Sequence, residues 1–96
     1  MDCDHIQALV QWRALVSAIA AEDSTKEILL TLQDAEEEIR NDALTSRPAG
    51  PENAMALLTL CAEHVTRCGG RMSDDEFETV CKASDMALTV IQGASE

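Results

Sequence analysis

The chain has 96 residues, 46% of them hydrophobic and only two aromatic, so the sequence predicts one small globular domain spanning residues 1–96. Its net charge of −11 argues against direct binding to nucleic acid or to an anionic membrane surface. That charge suits a partner that is basic or that itself binds nucleic acid, although solubility alone also accounts for it. The start is acidic and no apolar run reaches the ~20 residues of a membrane span, so we expect a cytoplasmic protein with free thiols.

Ala, Leu, Glu and Asp dominate the composition, which favours helices over strands. The first two predicted helices cover about residues 2–22 and 24–44. Asp2 or Asp4 is suited to cap the first helix, and Ser24 and Glu27 have the spacing of a capping box at the start of the second. The predicted inner stripes are Leu9, Trp12, Leu15, Val16 and Ile19 on the first helix and Ile28, Leu32, Ala35, Ile39 and Ala43 on the second.

The segment TSRPAGPEN breaks the helical pattern, and the third and fourth helices are predicted over about residues 51–68 and 74–92. Pro51 fits the first turn of the third helix, and Gly69 is suited to end it. Ser73 and Glu76 have the spacing of another capping box. The predicted inner residues are Ala54, Leu57, Leu58, Cys61, Val65 and Cys68 on the third helix and Phe77, Val80, Cys81, Ala87, Leu88 and Ile91 on the fourth.

No run alternates with period two over the length of a strand, so the predicted fold class is all-α. Short connections join the first helix to the second and the third to the fourth. We therefore expect two antiparallel hairpins that form a small four-helix bundle. So short a chain has a thin core, and we expect a homodimer to supplement it.

The stretch LTLCAEHVTRCGG raises the question of a metal site. Cys61 and Cys68 are one heptad apart, about 10 Å along a helix, which is too far for both to ligate one Zn²⁺. Free cysteine often fills small buried positions, so we predict core packing, no cofactor and no catalytic residues. The remaining weak candidates for a metal- or thiol-binding alternative are Cys61, His64 and Cys81.

Acidic residues are concentrated in the segment DAEEEIRND of the second helix. We interpret them as a solvated surface in which Asp34, Glu37 and Glu38 form an acidic rim around a binding site. Glu36 and Asp42 are assigned to the same solvated face. The alternative is that these acids imitate the phosphates of a nucleic acid.

Several apolar residues miss the predicted inner stripes, and paired apolar residues on a helix surface often mark an interface. Leu60 is one of them, and Ala83, Met86 and Val90 form a separate line on the fourth helix. We predict a partner-binding surface for another protein, either a second copy or a foreign regulator. The predicted contact residues are Ile6, Val10, Leu30, Met86 and Val90.

The segments ENAMALLTLCAEHV and FETVCKASDMALTVI resemble small Ala/Leu-rich helical proteins of high-GC bacteria such as pseudomonads, among them quorum-sensing antiactivators of the QslA type. The resemblance covers about half of the chain and depends on composition and helix layout. It implies a non-enzymatic inhibitor that binds a LuxR-type transcription activator and keeps it from DNA. A phage-encoded inhibitor of the anti-CRISPR type fits the size, charge and predicted fold as an alternative.

Overall fold

The computed structural model of the protein describes residues 4–21 and 26–94, and over these residues it contains four α-helices and no strand. The helices are α1 (His5–Ala21), α2 (Lys26–Thr45), α3 (Pro51–Cys68) and α4 (Asp74–Ala94). The predicted all-α class and the predicted number of helices are confirmed over this part of the chain. None of the described helices combines the length and the apolar character that crossing a membrane requires.

Two predicted helix starts are stabilised as expected. The Asp4 carboxylate accepts a hydrogen bond from the backbone N–H of Gln7 at 3.1 Å. The Ser73 hydroxyl accepts one from the backbone N–H of Glu76 at 3.2 Å, which is one half of the predicted capping box. The other capping box, at Ser24, lies outside the described residues.

The boundaries of α3 follow from its terminal residues. Pro51 occupies the first turn, where a missing N–H breaks no helical bond. Gly69 adopts the left-handed conformation at φ 57°, and its N–H donates to the carbonyl oxygen of Val65 at 3.1 Å. This is the hydrogen bond of a glycine C-cap, so the end of α3 is determined locally.

The helices pack unequally. α1 lies against α2 and α3, and α3 lies against α4, but α1 and α4 do not contact each other. The molecule is elongated, with extents of 51 × 26 × 20 Å. Its core contains Ala8, Leu9, Trp12, Ala43, Leu44, Ala54, Ala56, Leu57, Leu60, Cys61, Val80, Ala83 and Ala87.

One end of the α1–α2 pair contributes nothing fully buried. No described residue of the distal segment, which we define as residues 13–21 of α1 and 26–35 of α2, is buried. This segment is nevertheless apolar, and the side chains of Leu15, Ile19, Leu29 and Leu32 are only half-buried. The core therefore forms around the other half of these two helices and around α3 and α4.

For several helices, the prediction of which residues point inward is wrong at individual positions. Leu60 and Ala83, which were predicted to lie off the inner stripes, are 1% and 0% exposed. Small residues at a helix interface permit a close approach, and α4 packs through Val80, Ala83 and Ala87, spaced three and four residues apart. Five side chains predicted to point inward lie at the surface instead: Ile28, Val65, Phe77, Cys81 and Leu88.

Candidate functional site

A buried carboxylate lies between α1 and α2. Glu36 is 5% exposed, so the assignment of this residue to the solvated acidic face is wrong. Its carboxylate accepts a hydrogen bond from Trp12 Nε1 at 2.7 Å and another from Arg40 Nη1 at 2.8 Å. A buried charge requires such partners, because removal from water is costly unless an ion pair and hydrogen bonds compensate. Trp12 and Arg40 supply both.

Trp12 connects three helices. Its indole ring belongs to α1, is 1% exposed and donates to Glu36 of α2. This ring system and the imidazole of His64 on α3 form a T-shaped pair, with the ring centroids 6.4 Å apart and the planes at 85°. Edge-to-face contacts of this kind add to the stabilisation from burial. Trp12 thus contacts both Glu36 of α2 and His64 of α3.

His64 and Cys68 face each other one turn apart on α3. The distance from Nδ1 of His64 to Sγ of Cys68 is 3.7 Å. Glu76 of α4 approaches the same point, and one ligand atom from each of the three side chains lies within 4.8 Å of the others. We call these three residues the His64 cluster. The predicted candidates Cys61 and Cys81 are not part of it.

The environment of His64 favours its neutral form. Burial lowers its pKa, and the positive charge of Arg40 lowers it further, while the carboxylates of Glu36 and Glu76 act in the opposite direction. A pocket of about 140 Å³ opens beside the imidazole. Its lining combines residues of three helices: Arg40, Asn41, Leu44, His64, Asp75, Glu76 and Thr79.

The other two described cysteines have different surroundings. Cys61 is 4% exposed, and burial raises the pKa of its thiol, as the predicted core role implies. Cys81, which was predicted to point inward from α4, is exposed. Cys61, Cys68 and Cys81 are all free thiols.

An open groove of about 560 Å³ separates the exposed sides of α1 and α3. Arg13 bridges the two helices, and its guanidinium Nε donates to both carboxylate oxygens of Glu63 at 3.1 Å. This hydrogen bonding lowers the pKa of Glu63. The groove is lined by Trp12, Arg13, Val16, Ser17, Ala62, Glu63, Thr66 and Arg67.

His5 anchors the start of α1. It is 1% exposed, and Nε2 lies 3.0 Å from the carbonyl oxygens of both Ala43 and Ser46. Because carbonyls only accept, Nε2 carries the proton and donates to both. His5 therefore supplies a partner to the carbonyl group of Ala43 in the last turn of α2 and to that of Ser46 just after the helix.

The predicted partner-binding residues have different environments. Ile6 and Val10 are 45% and 61% exposed on α1, and Leu30 is exposed on the distal segment. Met86 and Val90 instead lie partly buried against the core, so the separate exposed line predicted on α4 is wrong. The predicted rim residues Asp34, Glu37 and Glu38 are all exposed on α2.

Sequence reasoning did not predict the burial of three polar residues that the structure places inside or against the core: His5, Glu36 and Arg40. A signal for Glu36 was present. It continues the apolar spacing of Leu29, Leu32, Ile39 and Ala43, so it occupies a core position of α2. Nothing comparable indicated that Glu76 of α4 would lie beside His64, because that contact depends on how α3 and α4 meet.

Comparison with protein-family models finds no match, and comparisons with curated proteins and with solved structures find none either.

Proposed function

We propose that the protein is a non-enzymatic inhibitor that binds another protein through the outer face of α1. We define this face as the exposed side of the helix that carries Ile6 and Val10. The observation that carries the proposal is that this face has almost no charged residues, whereas the rest of the surface is strongly acidic. In a chain with a net charge of −11, α1 contains a single charged residue, Arg13.

The α1 outer face has the composition of an interface. Nine of the 17 residues of α1 are exposed, and the charge of Arg13 is already paired with Glu63. Val10 and Ile6 lie one turn apart, so their exposed side chains are neighbours on the helix. The cores of protein interfaces are depleted of charged residues, as this face is.

The surrounding charge favours a basic partner. Helices α2 and α4 carry six and five of the 18 acidic residues. Acidic groups around an apolar contact accelerate encounter with a positively charged surface. We therefore propose a regulator that binds nucleic acid as the partner. The resemblance to quorum-sensing antiactivators supports a LuxR-type transcription activator as a specific candidate.

Substitution of Val10 by aspartate is expected to abolish partner binding and to leave the fold intact. Val10 is largely exposed, so the change places a charge on the binding face without disturbing the core. The matched control is Val65→Asp, the same change at an exposed position of α3. Tagged wild-type and variant chains would be used to capture proteins from cells of the source organism, with identification by mass spectrometry.

The captured protein would then be purified and its DNA binding measured with increasing amounts of each chain. We expect inhibition by the wild type and by Val65→Asp at equal stoichiometry and none by Val10→Asp. The charge reversals Glu37→Lys and Glu38→Lys separate this proposal from nucleic-acid mimicry. If those reversals abolish binding while Val10→Asp does not, the acidic face is the binding surface and the proposal is wrong.

We also propose that the helices form two antiparallel hairpins and that two chains associate through the distal segment. His5 meets Ala43, and Trp12 meets Glu36 nearer the middle of α2, so contact positions on the two helices run in opposite order. In the distal segment Leu15, Ile19 and Leu32 are half-buried, and no side chain of the segment is fully buried. A second copy would cover these apolar side chains and enlarge a thin core.

We expect light scattering to give twice the chain mass of 10.4 kDa for the wild-type protein. Leu30→Asp in the distal segment is expected to give the monomer, because the charge would have to be buried in the interface. Leu88→Asp is the matched control, since Leu88 on α4 has a similar exposure of 45% against 49% for Leu30. A wild-type monomer, or a dimer that persists in Leu30→Asp, contradicts this association.

A further inference from the structure

We propose that His64, Cys68 and Glu76 form a Zn²⁺ site that joins the end of α3 to the start of α4. The inference is independent of the partner-binding function. It also departs from the expectation of no cofactor, and it replaces the predicted candidates Cys61 and Cys81 by Cys68 and Glu76.

The spacing of the donor atoms fits a tetrahedral metal. Zn–S bonds of about 2.3 Å and Zn–N bonds of about 2.0–2.1 Å place sulfur and nitrogen ligands about 3.5 Å apart. In the structure, Cys68 Sγ and His64 Nδ1 are 3.7 Å apart. The carboxylate of Glu76 completes a triangle in which no two ligand atoms are more than 4.8 Å apart. Cys68 Sγ also lies 3.9 Å from Nε2, so the imidazole has to rotate before one ring nitrogen and the thiolate point at the same ion.

The positions of His64 and Cys68 on α3 also suit a shared metal ion. His64 and Cys68 are separated by four residues on α3, and residues at this spacing are neighbours on one helix face. Two zinc ligands at this spacing with a third from another element is a familiar arrangement in metalloproteins. The end of α3 carries the negative pole of the helix dipole, which favours a cation there.

The residues around the cluster support a bound cation. His64 is buried, and an imidazole nitrogen is a common ligand of Zn²⁺. Asp75 and Glu76 add negative charge to the adjacent pocket, and Arg40, which also lines this pocket, is ion-paired with Glu36. Trp12 packs against the imidazole ring of His64 in a T-shaped arrangement.

The donor types select the metal. A thiolate, an imidazole and a carboxylate suit Zn²⁺, whereas Ca²⁺ and Mg²⁺ prefer oxygen ligands alone. Three protein ligands leave a fourth tetrahedral position for water, and the pocket of about 140 Å³ beside His64 gives it access. Because the ligands come from α3 and α4, a bound ion stabilises the packing of these two helices.

The test uses the full chain purified without a histidine tag and stripped with a chelator. Zn²⁺ would be titrated by calorimetry, and Co²⁺ by absorbance. We expect one ion per chain, a thiolate-to-cobalt charge-transfer band, d–d absorption typical of four-coordinate Co²⁺, and a higher melting temperature with Zn²⁺. Cys68→Ser is expected to remove the charge-transfer band, and Glu76→Gln is expected to weaken Zn²⁺ binding at least about tenfold.

Two matched controls make the test specific. Cys81→Ser changes an exposed cysteine outside the cluster, and Glu78→Gln changes an exposed glutamate two residues from Glu76. Both are expected to bind Zn²⁺ as the wild type does. Glu76 and Glu78 are both exposed, so neither glutamate variant is expected to unfold. Any of three results would overturn the proposal. The wild type does not bind Zn²⁺ stoichiometrically, binding survives both Cys68→Ser and Glu76→Gln, or binding depends on Cys81.

Discussion

Trp12→Ala is expected to destabilise the protein by about 3–5 kcal/mol, the usual range for removing a fully buried aromatic side chain. Trp12 is 1% exposed and is the largest side chain in the core. The substitution also removes the N–H donor of the buried carboxylate of Glu36. Small domains are stable by only about 5–15 kcal/mol, so this one change removes a large share of the total.

The measurement is the free energy of unfolding from urea titrations followed by circular dichroism. Trp12→Phe helps to separate the two causes, because it retains a buried aromatic ring, although a smaller one, and cannot donate a hydrogen bond to Glu36. Hydrogen bonds to charged groups contribute about 1.5–3 kcal/mol, so we expect an intermediate loss for this variant. A loss below about 1 kcal/mol for Trp12→Ala would show that the residue is not in a packed core.

Arg40→Met is expected to destabilise the protein by about 3 kcal/mol, near the lower end of the range for breaking a buried ion pair. Its side chain is 14% exposed against 7% for Glu36, so the substitution leaves a carboxylate charge in a nearly dry environment. The methionine fills much of the same volume. The loss is therefore attributed mainly to the unpaired charge.

The double variant Glu36→Gln/Arg40→Met tests that attribution. Glutamine still accepts the hydrogen bond from Trp12 but carries no charge, so the double variant is expected to recover most of the stability. Arg13→Met serves as a control, because Arg13 pairs with Glu63 at the surface, where removing a partner has little effect. If the double variant is no more stable than Arg40→Met, lost packing of the arginine side chain is the cause.

These core contacts also bear on the proposed function, because α1 presents different residues on its two sides. His5 and Trp12 attach its inner side to α2 through hydrogen bonds, while Ile6 and Val10 remain exposed on its outer face. A helix held in this way has little conformational entropy left to lose when a partner binds. The buried polar groups therefore preorganise the surface that we propose for recognition.

The sequence by itself determined the number of helices and several of their ends. Asp4, Pro51, Gly69 and Ser73 act through hydrogen bonds or backbone conformations within a few residues, so their effects are readable without the tertiary structure. The 3.6-residue period likewise depends only on the helix itself. These are local interactions, and a linear sequence contains all of their partners.

Beyond the helical spacing that already marked Glu36 as a core position, only the tertiary structure decided which polar residues are buried and which apolar residues are exposed. Glu36 lies inside because Trp12 and Arg40 meet its charge, and Glu76 lies beside His64 because of how α3 and α4 pack. The exposure of Phe77 follows from the close packing of small residues on α4. In each case burial depends on side chains from other turns or other helices, whose positions are established only when the helices pack together.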